Sequence, residues 1–248
     1  MLKRHLSLTA LATAALALGT TAAPVAFYTD SGFGAFDTPN ANSWGASNKT
    51  TTSAIFEVFI DFTQAADDAT DPITLFELGA DAIGSGITID GDDILFAAGG
   101  GSVANTGTVS GAHGLTAGDT NVQVVAVIQY GAGTLTNELL SLYVNGVQVG
   151  STADVQAGTD WAGANTSNLG SSDSFQIFEY VPSLNATPDD GSNGQYSGNY
   201  PTDGATIEFA AYELGVGDNT VANILVPEPT SLALLGLGGL CVMRRRRG

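Results

Sequence analysis

The sequence predicts an all-β protein: one antiparallel β-sandwich of about 200 residues, flanked by two terminal segments of different composition. Three observations carry this expectation. Short segments either alternate apolar and polar residues with the two-residue period of a strand or run as β-branched and aromatic stretches. Clusters of Gly, Asn and Asp separate them, and the 32 glycines suit a chain of many tight turns. No long amphipathic helical pattern interrupts the series. A domain of this size can bury a sufficient core without cross-links. The only cysteine, Cys241, lies in the C-terminal segment. The domain therefore has no disulfide framework, no cysteine-ligated metal and no thiol nucleophile.

In chain order, strands are expected at Val25–Tyr28, Ala54–Phe62, Ile73–Leu78, Gly86–Ile89, Asp93–Ala97, Val122–Tyr130, Leu139–Val149, Phe175–Tyr180 and Thr206–Glu213. Turns are expected at Asp90-Gly91-Asp92, Gly99-Gly100-Gly101, Gly131-Ala132-Gly133, Asn145-Gly146 and Asp189-Asp190-Gly191. Asn145-Gly146 is the clearest, because both residues tolerate positive φ and alternating apolar residues flank them, as in a two-residue type I′ hairpin.

The first 26 residues have the organisation of a secretory signal. Lys3, Arg4 and His5 precede the apolar stretch Leu6–Leu18, and Gly19–Ala26 supplies small residues for cleavage after Ala22, Ala23 or Ala26. The folded domain is expected over 27–225 and the C-terminal segment over 226–248. That segment reads Pro227-Glu228-Pro229, then the apolar run Leu232–Met243, then Arg244 to Arg247. The prolines hold an extended stretch. The run is short of the roughly 20 residues of a spanning helix, and the arginines stop transfer on the cytoplasmic side. A transient membrane anchor fits this design better than a permanent span. The order of parts resembles the PEP-CTERM sorting signals of bacteria that make exopolysaccharide. The resemblance implies recognition of Pro227, Glu228 and Pro229 by an exosortase-type membrane enzyme, and a destination at the cell envelope, cell surface or extracellular matrix.

Charge sharpens the picture. Between residues 27 and 226 there are 24 acids and a single base, Lys49, a formal balance of −23. Such a surface repels nucleic acid and anionic lipid. It suits saline surroundings, where screening weakens self-repulsion.

A second resemblance lies in the domain. Val122–Tyr130, a loop, and Leu140–Gly150 with its Tyr143-Val144-Asn145-Gly146 resemble the central hairpin of LamG-like, concanavalin A-like jelly rolls. Ala205–Leu214 is similar to the last strand of that family, which precedes a brief helix. The fold implied is a jelly-roll β-sandwich.

Catalytic patterns are sparse. The domain has one histidine, His113, expected as a solvated loop residue, and no Gly-x-Ser-x-Gly or His-Glu-x-x-His motif. A glycan hydrolase of this fold would resemble Glu-x-Asp-x-Glu on one strand; here Glu57 and Asp61 have Phe59 between them. The chain is therefore expected not to be an enzyme. Calcium wants six to eight oxygens, and Asp90, Asp92 and Asp93 offer one acidic turn, Asp189 and Asp190 another. Such turns also occur without metal, because Asp caps turns locally. Carbohydrate needs aromatic platforms beside polar groups, for which Trp161, Tyr196 and Tyr200 are the candidates; the alternative is that they close the core or cover a loop. The expected role is a non-enzymatic carbohydrate-binding or adhesive module that takes extracellular polysaccharide. A purely structural envelope protein is the alternative, with a glycan hydrolase behind it.

Overall fold

The computed structural model describes residues 23–32, 34–35, 53–68, 72–80, 83–100, 106–130, 138–155, 166–170, 200–201 and 205–225. The strands are β1 Tyr28–Ser31, β2 Gly34–Ala35, β3 Ala54–Ile60, β4 Ile73–Ala80, β5 Ile83–Asp90, β6 Asp93–Gly100, β7 Thr106–Ala112, β8 Val122–Tyr130, β9 Glu138–Val144, β10 Val147–Val155, β11 Thr166–Leu169 and β12 Ile207–Glu213. Two short helices, α1 Gln64–Asp67 and α2 Val221–Ile224, complete the elements among the described residues.

The strands form two six-stranded antiparallel sheets. Sheet A runs β1-β12-β3-β8-β9-β10 and sheet B runs β2-β11-β4-β5-β6-β7. Alternation dictates what lies between them. Phe56, Val58 and Ile60 of β3, Val122, Val124, Ala126 and Ile128 of β8, and Ile207, Phe209 and Ala211 of β12 point inward from sheet A. They meet Ile87 and Ile89 of β5 and Ile94, Phe96 and Ala98 of β6. Four phenylalanines tie the layers together: Phe76 of β4 lies 5.3 Å from Phe56 and 5.0 Å from Phe209, and Phe96 lies 6.2 Å from Phe56, centroid to centroid. These are tilted contacts, the geometry that aromatic quadrupoles favour.

The expected hairpins form where their turn residues lie. Asn145 (φ 48°) and Gly146 (φ 81°) both adopt positive φ, the type I′ pattern that joins β9 to β10. The Asn145 side chain adds a tie, accepting from Gln123 N–H at 3.0 Å. Asp90 and Asp93 pair across the β5–β6 hairpin around Gly91-Asp92.

Several expectations are corrected. The first strand begins at Tyr28, not Val25, because its ladder with β12 pairs Tyr28 with Ala211 through Ser31 with Glu208. Gly99 and Gly100, expected in a turn, finish β6. Strands β2, β7 and β11 lack the apolar alternation that marks a strand, and their partners supply the pattern instead. Ahead of β1, Val25 is hydrogen-bonded to Asn219, and Ala26 packs on an apolar cluster. Phe175–Tyr180 and the turns at 131–133 and 189–191 lie outside the described residues.

The sandwich closes where β7 meets β10. A Cβ on Gly111 would fall inside the Val149 carbonyl, and one on Gly150 would lie 2.7 Å from Ser110 O. No larger side chain permits this approach of the two edges.

Candidate functional site

The outer face of sheet A carries the fullest constellation of side chains. Because Phe56, Val58 and Ile60 enter the core, Ile55, Glu57 and Phe59 project outward. Register then sets outward residues in rows across the strands. One row is Ser31, Glu208, Phe59 and Gln123; the next is Thr29, Ala210, Glu57 and Val125. The small Ala210, between Glu208 and Tyr212 on β12, lowers the surface there. The result is an open depression of about 580 Å³ whose lining includes Thr29, Ser31, Glu57, Phe59, Glu208 and Tyr212. Thr29, Ser31 and Glu208 are exposed and Phe59 is partly so.

At its base Glu57 is 7% exposed, and both carboxylate oxygens are used. Tyr212 Oη donates to one at 2.6 Å, and Gln123 Nε2 donates to the other at 2.6 Å. Hydrogen bonds this short to a carboxylate are among the stronger ones. They hold the carboxylate in one orientation. Burial, then the hydrogen bond from its own hydroxyl to Glu57, then the Glu57 charge push the Tyr212 phenol well above its ordinary value. Tyr212 therefore stays a donor at all moderate pH.

Beside the depression the same face is apolar. Ile55, Val125, Val127, Tyr212 and Ile224 form a second buried cluster, against which Val221 and Leu225 pack. Helix α2 is thus laid on sheet A, and Gln123 Nε2 fastens it by donating to the Ile224 carbonyl at 2.7 Å. One amide serves both the carboxylate and the helix.

Sheet B hides a different polar group. Leu75 and Phe76 are both in the core because β4 bulges between Thr74 and Phe76. Thr74 and Glu77 consequently project from the other side of the sheet, yet each is 0% exposed. Thr74 and Thr88 are cross-strand partners, and neither buried hydroxyl finds a hydrogen-bond partner among the described residues. The segment Thr74-Leu75-Phe76-Glu77 holds the signal that could have found this arrangement: two adjacent apolar residues inside an alternating strand.

The sequence candidates distribute unevenly. Tyr200 is 0% exposed and donates its hydroxyl to the Asp61 carbonyl at 2.7 Å, so it offers no face to a sugar. Its burial suits a large aromatic whose polar tip has found a partner. Trp161, Tyr196, Asp189 and Asp190 lie outside the described residues, as do Pro227, Glu228 and Pro229. Asp90, Asp92 and Asp93 stay at the β5–β6 hairpin, where the Asp92 carbonyl accepts from His113 N–H at 3.0 Å. Among the described residues no three His, Cys, Asp or Glu side chains gather as a metal would need.

His113 is corrected from a solvated loop residue to a buried one. Its Nδ1 accepts from Leu115 N–H at 2.9 Å, so the ring proton lies on Nε2, which donates to the Gly91 carbonyl at 3.0 Å. Phe62 packs 5.2 Å from its ring. Asp61, just past β3, accepts from Asn121 N–H and the Thr206 hydroxyl, both at 2.9 Å. It serves the end of the sandwich and does not line the depression with Glu57.

Comparisons with known proteins bear on both parts of the chain. Residues 225–247 match the PEP-CTERM protein-sorting motif, the signal of an exosortase-sorted extracellular protein. The chain carries that signal behind a β-sandwich. No curated protein matches it by sequence. Among solved structures it is similar to NanB with Optactamide, at 14% identity and TM-score 0.53 over 83% of this chain and 29% of that one. It is also similar to the receptor-binding domain of the botulinum neurotoxin C/D mosaic serotype, at 10% identity and TM-score 0.45 over 79% of this chain and 45% of that one. The chain thus spans less than half the length of each, and its likeness to the first is one of fold. No helix among the described residues is long and apolar enough to cross a membrane.

Proposed function

We propose that the protein is a non-enzymatic module, displayed at the cell surface or in the extracellular matrix, that binds neutral polysaccharide in the depression on the outer face of sheet A. The observation that carries this reading is the placement of Phe59 beside Glu208, Thr29 and Ser31. An aromatic face takes the C–H side of a sugar ring, while carboxylate and hydroxyl oxygens take its hydroxyl groups. Glu208 is the exposed acceptor. Glu57, fully engaged by Tyr212 and Gln123, is the rigid base that fixes Tyr212 at the rim. The −23 balance of the domain favours uncharged polymers over acidic ones. The same engagement of Glu57 supports a non-catalytic role, since glycoside hydrolysis needs two carboxyl groups free to exchange protons or attack across the bond. The sorting tail supplies delivery, through an exosortase-type processing enzyme.

The test is binding of the exported protein to immobilised neutral and acidic polysaccharides. Saturable binding confined to neutral polymers and weakened by Phe59→Ala is expected. Equal retention of both classes, or no retention of either by folded protein, contradicts the reading; the second result leaves a structural envelope protein.

A further inference from the structure

The two ends of the described domain are stitched to one another by a single side chain. Val25 lies outside every strand, yet both its backbone polar groups are bonded. Its N–H donates to Asn219 Oδ1 at 2.8 Å, and its carbonyl accepts from Asn219 Nδ2 at 2.9 Å. The Asn219 amide thus does for Val25 what an adjacent strand would do. Asn219 is 1% exposed and is itself held in a closed turn, its carbonyl accepting from Gly215 N–H and its N–H donating to the Val216 carbonyl. Ala26 packs on the apolar cluster that also holds Ile224, Leu225 and Tyr212. Phe27 N–H donates to the Ala211 carbonyl at 2.9 Å and leads directly into β1.

This arrangement discriminates between the cleavage positions that the small residues of the leader leave open. A cut after Ala26 would delete Val25 and Ala26. Asn219 would then keep a buried amide with its main partners gone, which is costly for a group shielded from water. The apolar cluster would also lose Ala26. A cut after Ala22 or Ala23 leaves every one of these contacts in place.

We propose that the leader is removed on the N-terminal side of Pro24, so that the mature chain keeps Val25 and Ala26 as a strap over the segment from which the sorting tail leaves. The step is hydrolysis by a membrane signal peptidase. Water breaks the peptide bond after Ala22 or Ala23; its oxygen ends on the alanine carboxylate and a proton goes to the new α-amine of Ala23 or Pro24. The strap has a consequence at the other end. The sorting match begins at Leu225, the residue after α2, so the strap holds the root of the tail against sheet A. The proposal rests on reading the chain as exported.

Two measurements test it. The first is N-terminal sequencing of the full chain recovered from the envelope or medium of an exporting bacterium. A start at Ala23 or Pro24 is expected. A start at Phe27 overturns the proposal, whereas a chain still beginning at Met1 overturns the export reading on which it rests. The second is limited proteolysis of the full chain and its Asn219→Ala variant, following cleavage between Leu214 and Leu225. Loss of the two hydrogen bonds to Val25, together with a longer one from Asn219 Nδ2 to the Glu213 carbonyl at 3.4 Å, predicts cleavage about tenfold faster in the variant. An unchanged rate overturns the strap, and the sequencing result stands independently should the variant fold poorly.

Discussion

Tyr212, Glu57 and Gln123 show how one residue can hold several levels of structure. Tyr212 closes the apolar cluster under α2 with its ring and restrains Glu57 with its hydroxyl. Tyr212→Phe keeps the ring and leaves a buried carboxylate short of one donor, so it is expected to cost about 1–3 kcal/mol in chemical denaturation. Tyr200 and Tyr212 also set an alkaline limit. Both phenols are raised above their ordinary value, Tyr200 by burial and then by the Asp61 charge. In the unfolded chain they ionise near pH ~10, while in the folded protein they remain protonated. Their contribution is therefore complete below that pH and is lost as pH rises through and beyond it. Melting temperatures followed upward from about pH 9 should fall, and Tyr200→Phe and Tyr212→Phe should each flatten the fall. A decline unchanged in both variants would contradict the assignment. None of this was legible in the sequence. Tyr200 sits among Gly, Asn and Ser, where an aromatic reads as a loop platform, and its partner is a backbone carbonyl 139 residues away. His113 misled for the same reason: a Gly-rich neighbourhood reads as solvent-exposed, but the ring bonds to a hairpin 22 residues earlier.

At the scale of elements, legibility follows packing. β3 and β8 lie at the centre of sheet A, between partners on both sides, and their long apolar runs reveal them almost to the residue. The β9–β10 hairpin is equally plain, because its turn chemistry is local. Strands β2, β7 and β11 are edge or short elements rich in Gly, Thr, Ser and Asn; their strand state comes from ladder bonds to neighbours, which no local pattern records. The closure of β7 on β10 is likewise non-local. Gly150→Ala is expected to destabilise by about 1–3 kcal/mol, because its methyl group must displace both the Ser110 carbonyl and the buried Val109 side chain. Phe76→Ala, which empties the centre of the four-phenylalanine contact, should cost about 3–5 kcal/mol. A denaturation midpoint unchanged in either variant would contradict the packing described.

For the whole molecule, charge and address are the features that the sequence exposes most directly. The domain carries 24 acids against Lys49 between residues 27 and 226. Mutual repulsion of these carboxylates works against the compact state at low ionic strength, and a Debye length of about 8 Å at physiological salt already removes much of it. The melting temperature should rise as sodium chloride increases from about 0.01 M to 0.5 M; a constant or falling value would mean that the carboxylates are not crowded enough to matter. The order of Pro-Glu-Pro, apolar run and arginines disclosed the sorting tail because that motif is linear. The depression on sheet A was hidden because its residues come from β1, β3 and β12, brought together only by register.

That register also supplies the most direct test of the proposed function. Ala210 is the small residue that opens the depression, and its backbone is paired within the sheet, so Ala210→Trp fills the space while leaving the ladder intact. Binding of the native protein and of Ala210→Trp to a neutral polysaccharide should be measured side by side, with melting curves to show that both are folded. The native protein is expected to bind and the variant to lose at least about tenfold in affinity, the equivalent of roughly 1.4 kcal/mol. Undiminished binding by a folded Ala210→Trp protein would contradict it and place the ligand elsewhere on the molecule.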